Sequence, residues 1–263
     1  MQKFLVKKGF IFFVILMIFV GGYLVNLSTS YSNKDKFNIK HLHNEILSNN
    51  TILNESSELL NGLFYDNASN TYYFKGNVEN NYIVINNELW RIVMINNDKS
   101  VKIIKAYGID SNKLFNFNEE YDDYEYIDSI VMNELELWYN NNLNNIDSYI
   151  KEDEYCVNYK NECISTEKMK ISLLNVMEVK RAGGNNNINN EAYYLHNGND
   201  WWIIDNDYDE FLGSAYSGYV NLMGSIEKGF VDEQMTIRPV ITLIDSVSIA
   251  GNGTVDDPYF ILD

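Results

Sequence analysis

The chain has 263 residues, with 37 acidic and 20 basic side chains and a formal net charge of −17 at pH 7. A surface this acidic repels nucleic acid and anionic lipid, so the composition argues against a nucleic-acid partner. Beyond an apolar N-terminal run and a linker, about 200 residues remain, which is enough for one domain with a sizeable core.

The first predicted element is a membrane segment. Residues 9–25, GFIFFVILMIFVGGYLV, carry no charge and follow three lysines. About 20 apolar residues span a bilayer core about 30 Å thick, and lysines before such a run orient the N-terminus toward the cytoplasm. We therefore expect a cytoplasmic basic segment at 1–8 and a single-pass signal-anchor at 9–27 in the cell membrane. Without the three cytoplasmic lysines, the extracytoplasmic part carries a formal charge of −20.

Two alternatives to the uncleaved anchor stay open. A cleaved signal peptide has an apolar core of about 7–15 residues and an A-x-A-like cleavage site, which residues 26–30 match poorly. The sequence Lys7-Lys8-Gly9-Phe10 is similar to the processing site of type IV prepilins, but Val14 stands where that family carries glutamate. A pilin-like or secretion-system component is therefore the weaker alternative.

Residues 28–60 are predicted to form a stalk with a short helix. Their first part is polar, and near-helical spacing of apolar side chains follows at Ile39, Leu42, Ile46 and Leu47. The extracytoplasmic domain is expected over residues 61–263.

An antiparallel meander is predicted near the start of this domain. Residues 82–85 and 88–95 are rich in β-branched and aromatic side chains, and Asn86 and Asn87 separate them. Asparagine tolerates the positive φ of a two-residue hairpin turn, so we expect a hairpin here. Residues 101–106 supply the third strand.

Two helices are predicted in the middle of the domain. The acidic stretch at 119–128 is expected to be a solvated loop. Residues 129–143 then place five core side chains on one helical face: Val131, Met132, Leu135, Trp138 and Tyr139. Further on, Asn175 and Glu178 form a capping-box pattern, and Gly183-Gly184 ends that helix.

The remaining segments predict mostly strands. These are residues 170–174, 191–195, 201–204, 215–222 and 236–243, followed by a hairpin that turns at 251–253 into 259–261. Strands with two or three inserted helices indicate an α+β domain, mostly antiparallel, behind the N-terminal transmembrane helix.

Cys156 and Cys163 are the two cysteines of the chain. In an oxidising compartment the expected state is one disulfide that closes a short loop. No histidine lies near them, so the stretch offers too few ligands for a metal site.

Arginine occurs three times, and each arginine lies beside apolar residues. A guanidinium group forms buried bidentate pairs better than an ammonium group does. We therefore expect Arg91 and Arg238 to be structural anchors rather than catalytic groups.

Three blocks of sequence carry a family resemblance. They are residues 73–93 (YFKGNV, NY, LWRIV), residues 171–184 (ISLL, EV, AGG) and residues 237–259 (IRPVITL, GNGT, DPY). In this order they resemble an uncharacterised, surface-anchored extracytoplasmic domain family of low-GC Gram-positive bacteria, over residues 60–263. More distantly, the Trp-rich centre and the Arg-Pro-Val strand are similar to C-type-lectin-like folds. Trp90 and Pro239, which lie in these blocks, are predicted to be structural anchors together with Arg91 and Arg238.

The segment that begins at Trp201-Trp202, between the second and third blocks, departs from that family. Its members continue the central tryptophan with a Ser-Pro pair, whereas Trp201-Trp202 is followed here by IIDNDYD. The function of that loop is therefore expected to differ in this chain.

The same segment holds the candidate binding residues. Asp205, Asp207 and Asp209 alternate as in a calcium loop, but the glycine and the glutamate that an EF-hand needs are absent. A lectin-type calcium site or a solvated loop are the two remaining interpretations. If Trp201 and Trp202 lie on a strand, they point to opposite faces, so one is expected in the core and the other is a candidate stacking platform for a sugar or peptide.

No catalytic residue is predicted. The chain has no nucleophile elbow and no HExxH motif. Glycoside hydrolysis needs a pair of carboxylates, and the 37 acidic side chains of this chain offer many such pairs. A cell-wall-active hydrolase therefore remains an alternative. The expected function is that of a membrane-anchored surface protein, not an enzyme, whose domain is a structural module or binds a glycan, a wall component or another surface protein.

Overall fold

Strands dominate the computed structural model, which describes residues 40–262. This part of the chain is a β-rich α+β domain, which confirms the predicted class. Its strands are β1 (Lys40–His41), β2 (Ile52–Asn54), β3 (Gly62–Asp66), β4 (Thr71–Lys75), β5 (Tyr82–Ile85), β6 (Glu88–Ile95), β7 (Val101–Lys105), β8 (Leu114–Asn116), β9 (Ile150–Lys151), β10 (Asp153–Lys160), β11 (Glu162–Met169), β12 (Asn185–Asn186), β13 (Trp201–Asp209), β14 (Ser214–Val220), β15 (Ser225–Phe230), β16 (Gln234–Thr236), β17 (Val240–Leu243), β18 (Ser248–Ala250) and β19 (Tyr259–Ile261).

Three α-helices accompany the strands in the described part: α1 (Leu42–Ser48), α2 (Ile130–Asn142) and α3 (Val176–Ala182). A 3₁₀ helix follows α2 at Asn144–Tyr149, and Ile109–Asn112 forms a turn with left-handed residues inside it. Within residues 40–262, none of the helices has the length and apolar character needed to span a membrane. The predicted signal-anchor lies outside the described residues.

The domain begins earlier in the chain than the predicted boundary at residue 61. Strand β1 pairs with β18 near the C-terminus, and β2 pairs with β3. Leu42 and Ile46 of α1 are buried in the core. The apolar spacing that predicted a stalk helix therefore belongs to a helix packed on the domain, because its apolar side chains have a core to fill.

The larger sheet is organised around β6. One edge of β6 pairs with β5 along its first half and with β4 along its second half, and the other edge pairs with β7. The sheet continues from β5 through β19 and β18 to β1, from β4 through β3 to β2, and from β7 through β17 to β9. This arrangement brings the two ends of the described chain into the same sheet.

The second sheet has the order β12-β15-β14-β13-β16-β8. Its central part is the antiparallel unit of β13, β14 and β15, and β12 and β16 add parallel pairs to it. Strands β10 and β11 form a separate antiparallel hairpin. This second sheet carries all the site residues predicted from the segment after Trp201.

The structure confirms the predictions for the turn of the first hairpin, the buried face of α2 and the cap of α3. Asn86 and Asn87 join β5 to β6 with φ of 51° and 63°. The five side chains predicted for the buried face of α2 are the five that are buried. Asn175 caps α3 by accepting from the amide of Glu178, whose carboxylate accepts from the Asn175 amide in return.

Two predicted strands do not form. Residues 170–174 contribute a single bridge, Ser172 to Val240, and residues 191–195 are turn and coil around the buried Tyr193, Tyr194 and Leu195. Both segments are apolar because they cross the core. Apolar runs of this length do not distinguish a strand from other buried backbone.

The predicted disulfide is present. Cys156 on β10 and Cys163 on β11 are bonded, with Cα atoms 5.7 Å apart. The bridge closes the tip of the hairpin, where Asn161 takes φ of 64° in the turn.

We expect the double variant Cys156→Ser/Cys163→Ser to lose about 2–3 kcal/mol of unfolding free energy, as loop-closure entropy implies for so short a loop. Urea unfolding of the oxidised chain and of the variant measures the difference. Wild-type chain treated with a reductant is the control and should match the variant. Equal midpoints for oxidised and variant chains would contradict this expectation.

Candidate functional site

Both tryptophans of the predicted site are buried in the core. Trp201 is 1% exposed and Trp202 0%. The Trp202 indole donates to the carbonyl of Phe115 at 2.8 Å, and its ring packs edge-on against Phe117. The prediction that one of the two forms a stacking platform is therefore wrong, because β13 is covered on both of its faces at this point.

The three aspartates that alternate along β13 have separate environments. Burial raises the pKa of Asp205. Burial is the largest single influence on Asp207 and would raise its pKa, but the hydrogen bond from Lys228 at 2.6 Å, the charges of Lys228 and Lys160 and the Tyr208 amide together lower it. Asp209 accepts from the amides of Phe211 and Leu212 and thereby caps the turn after β13.

These carboxylates do not converge as calcium ligands. The register of β13 against β14 is irregular between Ile203 and Asp207, so the residues do not follow a simple alternation. Across residues 40–262, no group of three or more His, Cys, Asp or Glu side chains is arranged to hold a metal ion. The aspartates instead pair with a lysine, cap a turn or pack against the sheet.

An aromatic cleft lies at the end of β13, a few residues after the tryptophans. It has a volume of about 520 Å³. We call it the tip cleft, and its lining residues are Asp207, Tyr208, Asp209, Glu210, Phe211, Tyr216 and Lys228. Two of the predicted site residues, Asp207 and Asp209, are therefore part of this surface.

Strand register explains how the tip cleft is assembled. Asp207 lies opposite Tyr216, and Tyr216 lies opposite Phe230 on β15, so the three side chains form a row across three strands. The rings of Tyr216 and Phe230 are 4.6 Å apart between centroids. Phe230 remains 40% exposed. The row therefore presents two aromatic rings, Tyr216 and Phe230, beside the ion pair of Asp207 and Lys228.

The turn above this row presents a further aromatic side chain. Phe211 is 95% exposed and Leu212 56%. Gly213 takes φ of 63° and donates to the Asp209 carbonyl, which closes the turn. Asp209 caps the amides of this turn, and the turn places the exposed Phe211 ring in the lining of the tip cleft.

Sequence reasoning missed the aromatic residues that line this cleft, Tyr208, Phe211 and Tyr216, and Phe230, which packs against Tyr216 beside it. One signal was available, since Phe211 and Leu212 are apolar residues in a turn, directly before a glycine and after an acidic residue. Turn residues with no core to fill are exposed, and exposed aromatic side chains favour binding. The partners on β14 and β15 could not be found without the strand register.

The four expected anchors are all buried. Arg91 donates to the Asn81 side chain and to the Val78 carbonyl, and its guanidinium lies 3.8 Å from the Tyr82 ring centroid. Trp90 and Pro239 are also buried.

Arg238 donates to the carbonyls of Lys105 and Leu195 at 2.9 and 2.6 Å and lies over the Trp201 ring. Among the residues described, neither Arg91 nor Arg238 forms an ion pair with a carboxylate. Carbonyl and amide oxygens replace the carboxylate partners that bidentate pairing would have supplied.

Comparison of this chain with known proteins found no relative. No protein-family model, curated protein sequence or solved structure matches the chain. An assignment of function therefore depends on the geometry and chemistry of the described residues.

Proposed function

We propose that this chain is a membrane-anchored surface protein of the extracytoplasmic family it resembles, and that its domain binds a carbohydrate at the tip cleft. The observation that carries the proposal is the row of Tyr216 and Phe230 beside the Asp207–Lys228 pair, with Phe211 exposed above it. No catalytic role is assigned to these residues.

The chemistry of the tip cleft matches a sugar ring. One face of a pyranose is formed mainly by C–H groups, which pack on aromatic rings, while its hydroxyls donate to carboxylates and accept from ammonium groups. Tyr216 provides a ring in the cleft, and Phe230 extends it by packing against Tyr216 just outside the lining. Asp207 provides an acceptor and Lys228 a donor. Binding sites of this kind combine apolar surface with a few placed polar groups.

The charge of the tip cleft narrows the ligand class. Asp207, Asp209 and Glu210 outnumber Lys228 in its lining. An anionic polymer would be repelled by this surface, so we infer a neutral glycan or one that carries amino groups. The lectin-like part of the family resemblance agrees with this class of ligand.

We expect Phe211→Ser and Phe230→Ser each to weaken glycan binding by about tenfold or more, because aromatic rings that a ligand covers supply much of the binding energy of a site. Binding of the full chain in detergent to a panel of neutral and amino-sugar glycans measures the effect. Phe260→Ser is the matched control, since Phe260 is 45% exposed on β19 in the other sheet. Equal affinities for all three variants, or no bound glycan in the panel, would refute the proposal.

Glycan binding is expected to be the same with calcium and with a chelator. Asp207 pairs with Lys228 and Asp209 caps the turn, and the described residues hold no group of three or more His, Cys, Asp or Glu side chains arranged to bind a metal ion. A chelator-sensitive affinity, lost on Asp205→Asn, would contradict this expectation and restore the lectin-type calcium site.

The proposed topology has its own test. Protease added to intact cells, with the outer envelope made accessible, should remove the domain and leave the N-terminal segment with the membrane. A domain that stays intact while a known surface protein is digested would show that the orientation is wrong.

A further inference from the structure

A second cleft lies between the larger sheet and the tip of the β10–β11 hairpin. Its volume is about 630 Å³, within the range of about 300–1,000 Å³ that is usual for small-molecule sites. We call it the hairpin cleft. One wall is formed by β4, β6, β7, β9 and one side of α3, and the opposite wall is formed by the hairpin.

The two walls carry opposite charge. The sheet and helix wall holds three cations, Lys102, Lys151 and Arg181, against one acid, Glu178. The charged residues that the hairpin contributes to the lining are all acids: Asp153, Glu154 and Glu162. A ligand in this cleft therefore meets positive charge on one side and negative charge on the other.

Donors remain unused on the cationic wall. Lys102 is 7% exposed, and its ammonium donates to the Glu178 carboxylate at 2.6 Å. An ammonium group has three donors, and this is the one hydrogen bond it makes to the described residues. Arg181 likewise uses its Nη2 for Asp66 at 2.9 Å, which leaves its other N–H groups for a ligand. These donors suit a carboxylate.

Acceptors remain unused on the hairpin wall. Asp153 is occupied by Lys151 and by the hydroxyl of Thr242. Glu154 and Glu162 are exposed, and neither forms an ion pair within residues 40–262. The two glutamates lie at opposite ends of the hairpin, since Glu162 lies opposite Lys160 in the strand register, six residues after Glu154. Either free carboxylate, with unused cationic donors across the cleft, suits an ammonium group on the same ligand.

We propose that the hairpin cleft binds a zwitterion, namely a short peptide with free termini, whose carboxylate faces Arg181 and Lys102 and whose ammonium faces the free carboxylate of Glu154 or of Glu162. The volume of the cleft accommodates more than one residue. The disulfide holds the acidic wall in place, because Cys163 lines the cleft and is bonded to Cys156 on the neighbouring strand. This site shares no residue with the tip cleft.

Calorimetry of the full chain in detergent tests the proposal with four probes: trialanine, N-acetyl-trialanine, trialanine amide and free alanine. Trialanine should bind saturably, and either cap should weaken it by about tenfold or more, which corresponds to about 1.4 kcal/mol for each lost charge contact. Free alanine that binds as tightly as trialanine would assign the site to an amino acid rather than to a peptide terminus, and so would overturn the peptide proposal.

Variants test which cleft residues contact the N-terminus of the peptide and which contact its C-terminus. Glu154→Gln/Glu162→Gln should remove the preference for trialanine over its acetylated form, and Arg181→Gln should remove the preference over the amide. Glu136→Gln, an exposed acid on α2, is the matched control and should change neither. All four substitutions concern exposed or half-exposed side chains, so the folded state is retained.

The proposal is overturned if trialanine does not bind, if both capped forms bind as tightly as trialanine, or if the double glutamine variant keeps the preference for trialanine over its acetylated form. Phe211→Ser should leave trialanine binding unchanged. Failure of glycan binding at the tip cleft and failure of peptide binding here are therefore separate results.

Discussion

Replacement of Trp202 by alanine is expected to lower the free energy of unfolding by about 3–5 kcal/mol, the usual cost of removing a large buried aromatic side chain. Trp202 is fully buried between Phe117 and Tyr219, and its indole nitrogen donates to the Phe115 carbonyl. Native domains are stable by about 5–15 kcal/mol, so this change removes a large part of the total. Urea or thermal unfolding of the full chain in detergent, followed by tryptophan fluorescence and circular dichroism, measures it.

Phenylalanine substitutions separate the hydrogen bond from the packing. Trp202→Phe leaves the Phe115 carbonyl without this donor, which costs about 1–3 kcal/mol beyond the packing change. The Trp201 indole nitrogen has no acceptor among the described residues. Trp201→Phe should therefore cost less than Trp202→Phe, although both rings are equally buried. The opposite order would show that the hydrogen-bond assignment at Phe115 is wrong.

Arg238→Ala is expected to cost about 3 kcal/mol, because two buried carbonyls lose a charged donor and a cavity opens over Trp201. Arg238 is 1% exposed. Burial lowers the pKa of Arg238 to about 9, so at neutral pH the guanidinium keeps its proton at a cost in desolvation. Part of that cost is recovered in the alanine variant, which is why the loss is not larger.

Arg181→Ala is the matched control for Arg238→Ala. Arg181 forms an ion pair with Asp66, and its side chain is 38% exposed. A half-exposed ion pair contributes at most about 1 kcal/mol. Denaturant midpoints should separate the two variants clearly. Similar losses for both would mean that burial does not set the contribution of Arg238.

The sequence predicted elements well where the signal was local. The Asn86-Asn87 turn, the buried face of α2 and the capping box of α3 each depend on residues within one turn or a few positions of one another. The disulfide was predicted from the expected extracytoplasmic compartment and from the count of two cysteines, each of which has one possible partner.

Predictions that needed contacts distant in the chain failed. The stalk helix was placed outside the domain because nothing local shows that β1 pairs with β18, some two hundred residues further on. The stacking platform failed for the same reason. Alternation along β13 shows that Trp201 and Trp202 face opposite ways, but the cover on each face comes from distant elements.

The amino-acid sequence alone determined the acidic charge, the apolar N-terminal run, the β-rich α+β class and the local turns and caps, because each depends on composition or on neighbouring residues. The tertiary structure alone decided which aromatic side chains are exposed and which charges face one another. Tyr216 meets Phe230, and Arg181 faces the acidic hairpin, through strand pairing and packing between segments far apart in the chain. Such contacts arise from burial and register, which the local pattern of residues does not specify.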